Sequence, residues 1–149
     1  MIKYLNYAIT LAEVPDEISL TFSITNCGGH CEGCHSPELR EDIGRDLEKD
    51  LPWILNQYKD EITCVCFLGD GNDYYALNEC IDYVHFHGLK TCLYTGKEYY
   101  QIWGKRLSGN LDYLKVGPYI RELGGLNNRN TNQRMYHNGV DVTYKFWPK

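Results

Sequence analysis

The chain has 149 residues, a mass of 17.3 kDa and a hydrophobic fraction of 43%, which suits one folded domain over residues 1–149 and excludes an intrinsically disordered protein. A formal net charge of −5 without a basic stripe argues against a nucleic-acid partner. No apolar run approaches the roughly 18 residues of a membrane-spanning helix, and the first residues lack the layout of a secretory signal. We therefore expect a cytoplasmic protein with no membrane partner.

The seven cysteines are an odd number, so they cannot all pair with one another. In a reducing compartment, clustered cysteines are metal ligands more often than disulfides. Three of them, Cys27, Cys31 and Cys34, fall close together, and the other four are scattered through apolar segments. The sequence therefore predicts a metal centre at the first three.

The first clear strand is predicted at residues 18–25, where apolar side chains alternate with serine and threonine. It leads directly into Asn26 and the cysteine cluster. A helix is predicted at residues 51–59 and is expected to open at Pro52, because proline is favoured in the first helical turn.

Between these elements the cysteines form the pattern C-x3-C-x2-C. Three thiolates on one short loop can meet at a metal only if the backbone wraps tightly, which Gly28, Gly29 and Gly33 allow. A four-iron cluster usually takes four cysteine ligands, so a set of three leaves one iron open. The alternative is a structural zinc site with His30 or His35 as fourth ligand, but zinc sites usually have two ligand pairs separated by a longer spacer.

The second half of the chain predicts alternating strands and helices. A near-continuous apolar run at residues 62–68 indicates a buried strand, and a turn at residues 69–73 follows it. A helix stopped by Gly88 and two more strands are predicted at residues 74–86, 89–94 and 113–116. This order predicts an α/β fold with a mostly parallel sheet. An eight-unit barrel takes about 250 residues, so only a partial (βα) barrel fits.

The end of the chain departs from that alternation. Residues 134–136 and 140–147 are predicted to be the two arms of a C-terminal hairpin, with Asn138-Gly139 at its turn. The arms are expected to cover an edge or a mouth of the sheet. A polar loop at residues 124–132 precedes them, and loops of that kind are often functional.

Several segments resemble a known family. The C-x3-C-x2-C motif after an early strand resembles the signature of the radical S-adenosylmethionine superfamily. Residues 31–38, CEGCHSPE, are similar to the C-P-G-C-x-N-P-E stretch of glycyl-radical activases. Residues 112–119, DYLKVGPY, and residues 131–134, TNQR, resemble the late strand and the S-x-N-Q-R type tail of the small activases of anaerobic ribonucleoside-triphosphate reductase.

The resemblance implies a partial barrel of the radical SAM type. It implies a [4Fe-4S] cluster on Cys27, Cys31 and Cys34, where S-adenosyl-L-methionine is reductively cleaved to a 5′-deoxyadenosyl radical. That radical would take a hydrogen atom from a glycine of the large glycyl-radical subunit of anaerobic ribonucleotide reductase. A reductant such as flavodoxin or ferredoxin would supply the electron.

The resemblance also implies residues that bind S-adenosylmethionine, namely Gly33, Cys34, His35, Gly69 and Asp70. In the superfamily a G-G-E or G-G-D segment holds the amino group of this substrate, whereas here Asp70 lies between two glycines. Either the Asp70 carboxylate or backbone carbonyls of the turn would therefore bind the amino group.

Each of the remaining candidate residues has a structural interpretation as well as a functional one. Thr95-Gly96 would border the adenosine or form a plain turn, and Lys115 would face the barrel interior or the solvent. The polar loop and the hairpin would contact the partner reductase. The other four cysteines are predicted to pack in the core: Cys64, Cys66, Cys80 and Cys92.

Two other functions remain open at this point. One is a small radical enzyme that acts on a free metabolite instead of a protein. The other is a binding module stabilised by zinc, without enzymatic activity.

Overall fold

The computed structural model describes residues 1–26, 40–99 and 107–148. The described residues form an α/β structure with an eight-stranded mixed sheet and two α-helices. None of the helices described there is long and apolar enough to cross a membrane. The elements in chain order are β1 (Lys3–Thr10), β2 (Ser19–Ile24), β3 (Arg45–Asp46), α1 (Leu47–Tyr58), β4 (Cys64–Leu68), α2 (Tyr74–Phe86), β5 (Lys90–Tyr94), β6 (Tyr113–Val116), β7 (Arg134–His137), β8 (Val140–Asp141) and a 3-10 helix (Thr143–Phe146).

The strands follow the order β3-β1-β2-β4-β5-β6-β7-β8 across the sheet. The four central strands, β2, β4, β5 and β6, run parallel, which confirms the predicted parallel core. Antiparallel strands extend it on both sides, β1 and β3 next to β2 and the hairpin next to β6. The carboxyl ends of the central strands therefore lie at one edge of the sheet.

Strands β1 and β3 were not predicted from the sequence. The register of β1 against β2 shifts between Tyr4 and Tyr7, so its side chains do not keep a simple alternation. Leu5 and Ile9 are apolar yet exposed. The pattern that identifies a strand in a sequence is therefore missing here.

The two faces of the sheet carry different cores. Helices α1 and α2 contribute to the larger core, which includes Phe22 and Phe67 from the neighbouring strands β2 and β4. The smaller core contains Cys64, Cys66 and Cys92, with Tyr113 and Met135 beside them. Ser19 and Thr21 of β2 are buried as well, so the parallel strand β2 is covered on both faces, as parallel strands usually are.

Helix α1 begins four residues earlier than predicted. It spans Leu47–Tyr58, and the Asp46 side chain caps it by accepting a hydrogen bond of 3.3 Å from the Lys49 amide. The prediction that Pro52 lies in the first helical turn is therefore wrong, and this proline lies inside the helix. Proline has no N–H to donate to the Glu48 carbonyl. Because Pro52 is exposed, water can replace the missing donor, so the loss costs less than it would in the core.

Helix α2 agrees with its prediction. It spans Tyr74–Phe86, and the Asp73 side chain accepts a hydrogen bond of 3.1 Å from the Ala76 amide. Gly88 follows it with a φ of 79°, a left-handed conformation that ends helices and favours glycine.

The predicted hairpin is present, but its second arm is shorter. Asn138 and Gly139 both have positive φ, 49° and 84°, as a two-residue hairpin turn requires. The arm predicted at residues 140–147 ends as a strand after Asp141 and continues as the 3-10 helix. The cause is local, because the Asp141 carboxylate accepts hydrogen bonds from the amide and hydroxyl of Thr143, at 2.9 and 2.6 Å.

Candidate functional site

The chain enters and leaves the cysteine-bearing segment at the carboxyl end of β2. The Asn26 amide donates a hydrogen bond of 3.0 Å to the Glu41 carbonyl, so residues on either side of the segment 27–39 are joined. The Thr25 hydroxyl donates to the Ile43 carbonyl at 2.5 Å. Cys27, Cys31, Gly33, Cys34 and His35 themselves lie outside the described residues, and their predicted roles stay predictions.

The turn after β4 packs directly against the end of β2. A Cβ atom on Gly69 would lie 3.3 Å from the Ile24 carbonyl oxygen, and one on Gly71 would lie 3.2 Å from the Ile24 Cγ2 atom. Both glycines also have positive φ, 117° and 62°. Side chains at these two positions would strain the backbone and press on β2, so glycine is required at both. The turn therefore lies next to the point where the chain enters segment 27–39.

Asp70 lies between these glycines with its carboxylate buried, the side chain being 3% exposed. Three side chains donate to its Oδ2 atom: the Tyr74 hydroxyl at 2.5 Å, the Thr95 hydroxyl at 3.2 Å and the Lys97 ammonium at 2.5 Å. They come from the start of α2 and from the segment after β5. We call these four residues the Asp70 cluster.

Burial and charge act together on the groups of this cluster. The pKa of Tyr74 is raised to about 12, first because burial penalises the phenolate and then because the hydroxyl is bonded to Asp70. For Lys97, burial by itself lowers the pKa, but the hydrogen bond and the charge of Asp70 outweigh it, so that the pKa is raised. The cluster therefore keeps a protonated lysine at a buried carboxylate.

The next two strands bring Lys115 to the same edge. Its ammonium donates to the carbonyls of Thr95 and Gly117, at 3.4 and 3.0 Å, and lies over the Tyr94 ring at 5.8 Å from the centroid. At 8% exposure Lys115 is buried, so the interpretation as a solvated lysine is wrong. Thr95 thus connects Lys115 to the Asp70 cluster through its carbonyl and its hydroxyl.

Two segments that carry the family resemblance contact one another. The Gln133 side-chain amide donates to the Gly117 carbonyl at 3.4 Å, and the Asn132 amide donates to the Pro118 carbonyl at 3.0 Å. The Thr131 hydroxyl donates to the Gly124 carbonyl at 3.0 Å. These bonds fix the polar loop against the turn after β6.

A cleft of about 650 Å³ opens between that loop and the sheet. Its walls include Lys115, Gln133 and Tyr94, together with Glu13 and residues of the polar loop. Burial raises the pKa of Glu13, and the Tyr94 hydroxyl donates to the Glu13 backbone carbonyl. We call this space the polar cleft.

A second depression of about 760 Å³ adjoins the polar cleft, since both are lined by Ala12 and Phe146. Its other walls include Leu11, Arg129 and Tyr144. We call it the outer groove. The walls of both depressions carry apolar side chains as well as amide and charged groups.

The four scattered cysteines are buried, as predicted. Burial raises the pKa of each of the thiols Cys64, Cys80 and Cys92, to about 12 for Cys80, and the neighbouring Cys66 raises the pKa of Cys92 further. Thiols in this state are poor nucleophiles and poor ligands. Among the described residues, no group of three or more histidine, cysteine, aspartate or glutamate side chains could hold a metal ion.

The structure therefore brings together Gly69, Asp70 and the neighbouring Thr95, and it adds residues that the sequence did not identify. Lys97 and Tyr74 are the clearest of these. The only sequence signal for Lys97 was its position directly after a predicted turn at a strand end, where ligand-binding residues of α/β proteins are concentrated. No known protein family, curated protein or solved structure compared with this chain gives a significant match.

Proposed function

We propose that this protein is a radical S-adenosylmethionine enzyme that generates a glycyl radical on the large subunit of an anaerobic ribonucleotide reductase. The observation that carries the proposal is the position of the C-x3-C-x2-C motif. It begins three residues after Ile24, where β2 ends against the turn of Gly69 and Gly71. Ligands of open α/β sheets bind at this kind of edge.

The proposed fold is a partial (βα) barrel of the radical SAM type. It is supported by four parallel strands with two helices on one face, and by a cleft on the opposite side of the sheet that reaches Lys115 and Tyr94. In this proposal the cleft is the interior of the partial barrel.

Cys27, Cys31 and Cys34 would hold the [4Fe-4S] cluster, which supplies one electron to the sulfonium of S-adenosylmethionine. The described residues would bind and orient that substrate. Asp70 offers a buried carboxylate in the turn that packs against the end of β2, and Gly69 allows the close approach of backbone at the same turn. Gly33, Cys34 and His35 would complete this site.

The protein partner would dock on the polar loop and the hairpin. Support comes from the polar cleft and the outer groove, which adjoin each other and are both lined by the polar loop and by the 3-10 helix that follows the hairpin. A backbone segment of the partner needs amide donors and acceptors, and Asn127, Asn128 and Gln133 provide them in the polar cleft. A flavodoxin or ferredoxin would supply the electron.

The test is anaerobic reconstitution with iron, followed by measurement of 5′-deoxyadenosine formed with dithionite as reductant. We expect iron binding and cleavage in the natural sequence. Alanine at Cys27, Cys31 or Cys34 should abolish cleavage, because each removes a cluster ligand. The matched controls are Cys64→Ala and Cys92→Ala, which replace buried cysteines that are packed in the core.

Two results would contradict the proposal. One is stoichiometric zinc with no iron after reconstitution, which would favour a zinc-stabilised module. The other is loss of iron in Cys64→Ala or Cys92→Ala at unchanged folding, which would show that the ligand set is different.

The size of the polar cleft favours one further candidate, a radical enzyme that acts on a small metabolite. A volume of about 650 Å³ lies in the range of small-molecule sites. Reductive cleavage that is stimulated by a metabolite and that needs no protein partner would distinguish this candidate from the activase.

A further inference from the structure

The Asp70 carboxylate is buried and forms an ion pair with one cation. Its side chain is 3% exposed, and the Lys97 ammonium lies 2.5 Å from its Oδ2 atom. An uncompensated carboxylate in such a position is strongly unfavourable, because the hydrogen bonds of Tyr74 and Thr95 do not neutralise its charge. A cation at the position of Lys97 therefore stabilises this carboxylate.

Lys97 is the member of the cluster that can leave. Its side chain is 34% exposed, whereas Asp70 and Thr95 are buried. Its backbone is fixed, since the Lys97 amide donates to the Thr95 hydroxyl at 3.1 Å and the Gly117 amide donates to the Lys97 carbonyl at 2.7 Å. The flexible side chain can therefore rotate toward water while the Lys97 backbone stays in place.

The two hydroxyl donors would remain when Lys97 leaves. Tyr74 is held at the first position of α2, and Thr95 follows the last residue of β5. With the ammonium of Lys97 removed, Oδ2 keeps two hydrogen bonds and presents an open acceptor position. The site then lacks one positive charge with N–H donors. An ammonium group of a ligand supplies both.

We propose that Lys97 occupies the place of the ligand's α-ammonium group, which displaces Lys97 from Asp70 when the ligand binds. This inference rests on the proposed function, in which the ligand is S-adenosylmethionine. Lys97 is thus a residue that determines specificity. A ligand without an ammonium group cannot take over the charge of Asp70, so it leaves the Lys97 ion pair in place.

The experiment measures equilibrium binding of S-adenosylmethionine to the anaerobically reconstituted protein, with Lys97 or Lys145 replaced by methionine. Lys145 is the matched control. Its side chain is also 34% exposed and pairs with a carboxylate, Asp16, at 2.7 Å, but it lies in the 3-10 helix. We expect Lys97→Met to bind S-adenosylmethionine roughly tenfold more tightly, because the ligand no longer competes with a bound cation. Lys145→Met should bind like the natural sequence.

A second ligand and a second variant test whether the change in affinity depends on the ammonium group of the ligand. An S-adenosylmethionine analogue without the amino group should bind Lys97→Met and the natural sequence equally well. In an Asp70→Asn background the gain from Lys97→Met should disappear, since no carboxylate remains for which the two ammonium groups compete. If Lys97→Met fails to fold, Lys97→Arg is the substitute, and it should weaken binding of S-adenosylmethionine because arginine forms a stronger pair with Asp70.

The possible outcomes separate this inference from the proposed function. If 5′-deoxyadenosine is formed but Lys97→Met binds S-adenosylmethionine no more tightly than the natural sequence, then Lys97 has only a structural role and the inference is overturned. A gain of equal size for the analogue without the amino group also overturns it. If no variant binds S-adenosylmethionine or forms 5′-deoxyadenosine, the proposed function and the inference fail together.

Discussion

Tyr74 connects the candidate site to stability through one partly buried hydrogen bond. Its hydroxyl donates to Asp70, and its pKa is raised to about 12 from the usual value of 10. The folded protein therefore holds this proton more tightly than the unfolded chain does. The contribution of Tyr74 to stability is fully present below about pH 10 and is lost as the pH rises toward about 12.

The variant Tyr74→Phe tests that contribution. At neutral pH we expect it to lower the free energy of unfolding by about 1 kcal/mol, because one hydrogen bond to a buried carboxylate is lost. Between about pH 10 and pH 12 the difference between the variant and the natural sequence should shrink. Urea unfolding at several pH values measures both. A difference that stays constant over this range would mean that Asp70 and burial do not keep the tyrosine neutral.

The burial of a single residue was predictable where its hydrophobicity alone decides its position. Cys64, Cys66 and Cys92 were predicted in the core and are buried there. Lys115 was not predictable in the same way, because a lysine is buried only when its ammonium finds acceptors, and these are carbonyls after two different strands. Nothing near Lys115 in the sequence identifies Thr95 as its neighbour.

Helix α1 contains a proline, which interrupts the hydrogen bonds of the helix. Pro52 lies within Leu47–Tyr58 and cannot donate to the Glu48 carbonyl. We expect Pro52→Ala to raise the free energy of unfolding by about 1–2 kcal/mol, since a helical bond is gained while the unfolded chain becomes more flexible. Thermal or urea unfolding measures this change. A lower stability would indicate that the ring of Pro52 makes contacts that outweigh the missing bond.

The hairpin of β7 and β8 allows a test of backbone conformation without a packing effect. Gly139 has a φ of 84°, and a Cβ atom there would meet no atom within 4 Å. Gly139→Ala should therefore lower the free energy of unfolding by about 1–2 kcal/mol through the left-handed conformation alone.

Gly109→Ala is the control for this variant, because its Cβ atom would also meet nothing and its φ is not in the left-handed region. It should leave stability unchanged or raise it slightly. Equal losses in both variants would contradict the assignment of a two-residue turn with two positive φ angles.

Across the whole molecule, helices cover one face of the sheet, and the opposite side carries the polar cleft and the outer groove. The second side contains segments that are far apart in the chain, from Leu11 to Tyr144. In the proposed function it receives the protein partner.

Tyr144 tests the role of the outer groove. Its side chain is 58% exposed, so Tyr144→Ala should fold normally. We expect it to lower the yield of glycyl radical on the reductase subunit severalfold, while 5′-deoxyadenosine formed without the partner stays unchanged. The control is Phe86→Ala, at an exposed aromatic residue of α2, which should change neither quantity. Equal radical yields in both variants would exclude Tyr144 from the docking surface.

The sequence by itself determined the central α/β alternation, the end of α2, the hairpin turn and the burial of the scattered cysteines. Each of these follows from local periodicity, from glycine conformation or from hydrophobicity, which neighbouring residues in the chain specify. The start of α1, the strand β1 and the short second arm of the hairpin were decided by caps and pairings that periodicity does not encode. Only the tertiary structure joined Asp70 to Lys97 and Thr95, because a buried charge is compensated by groups that are close in space and distant in the chain.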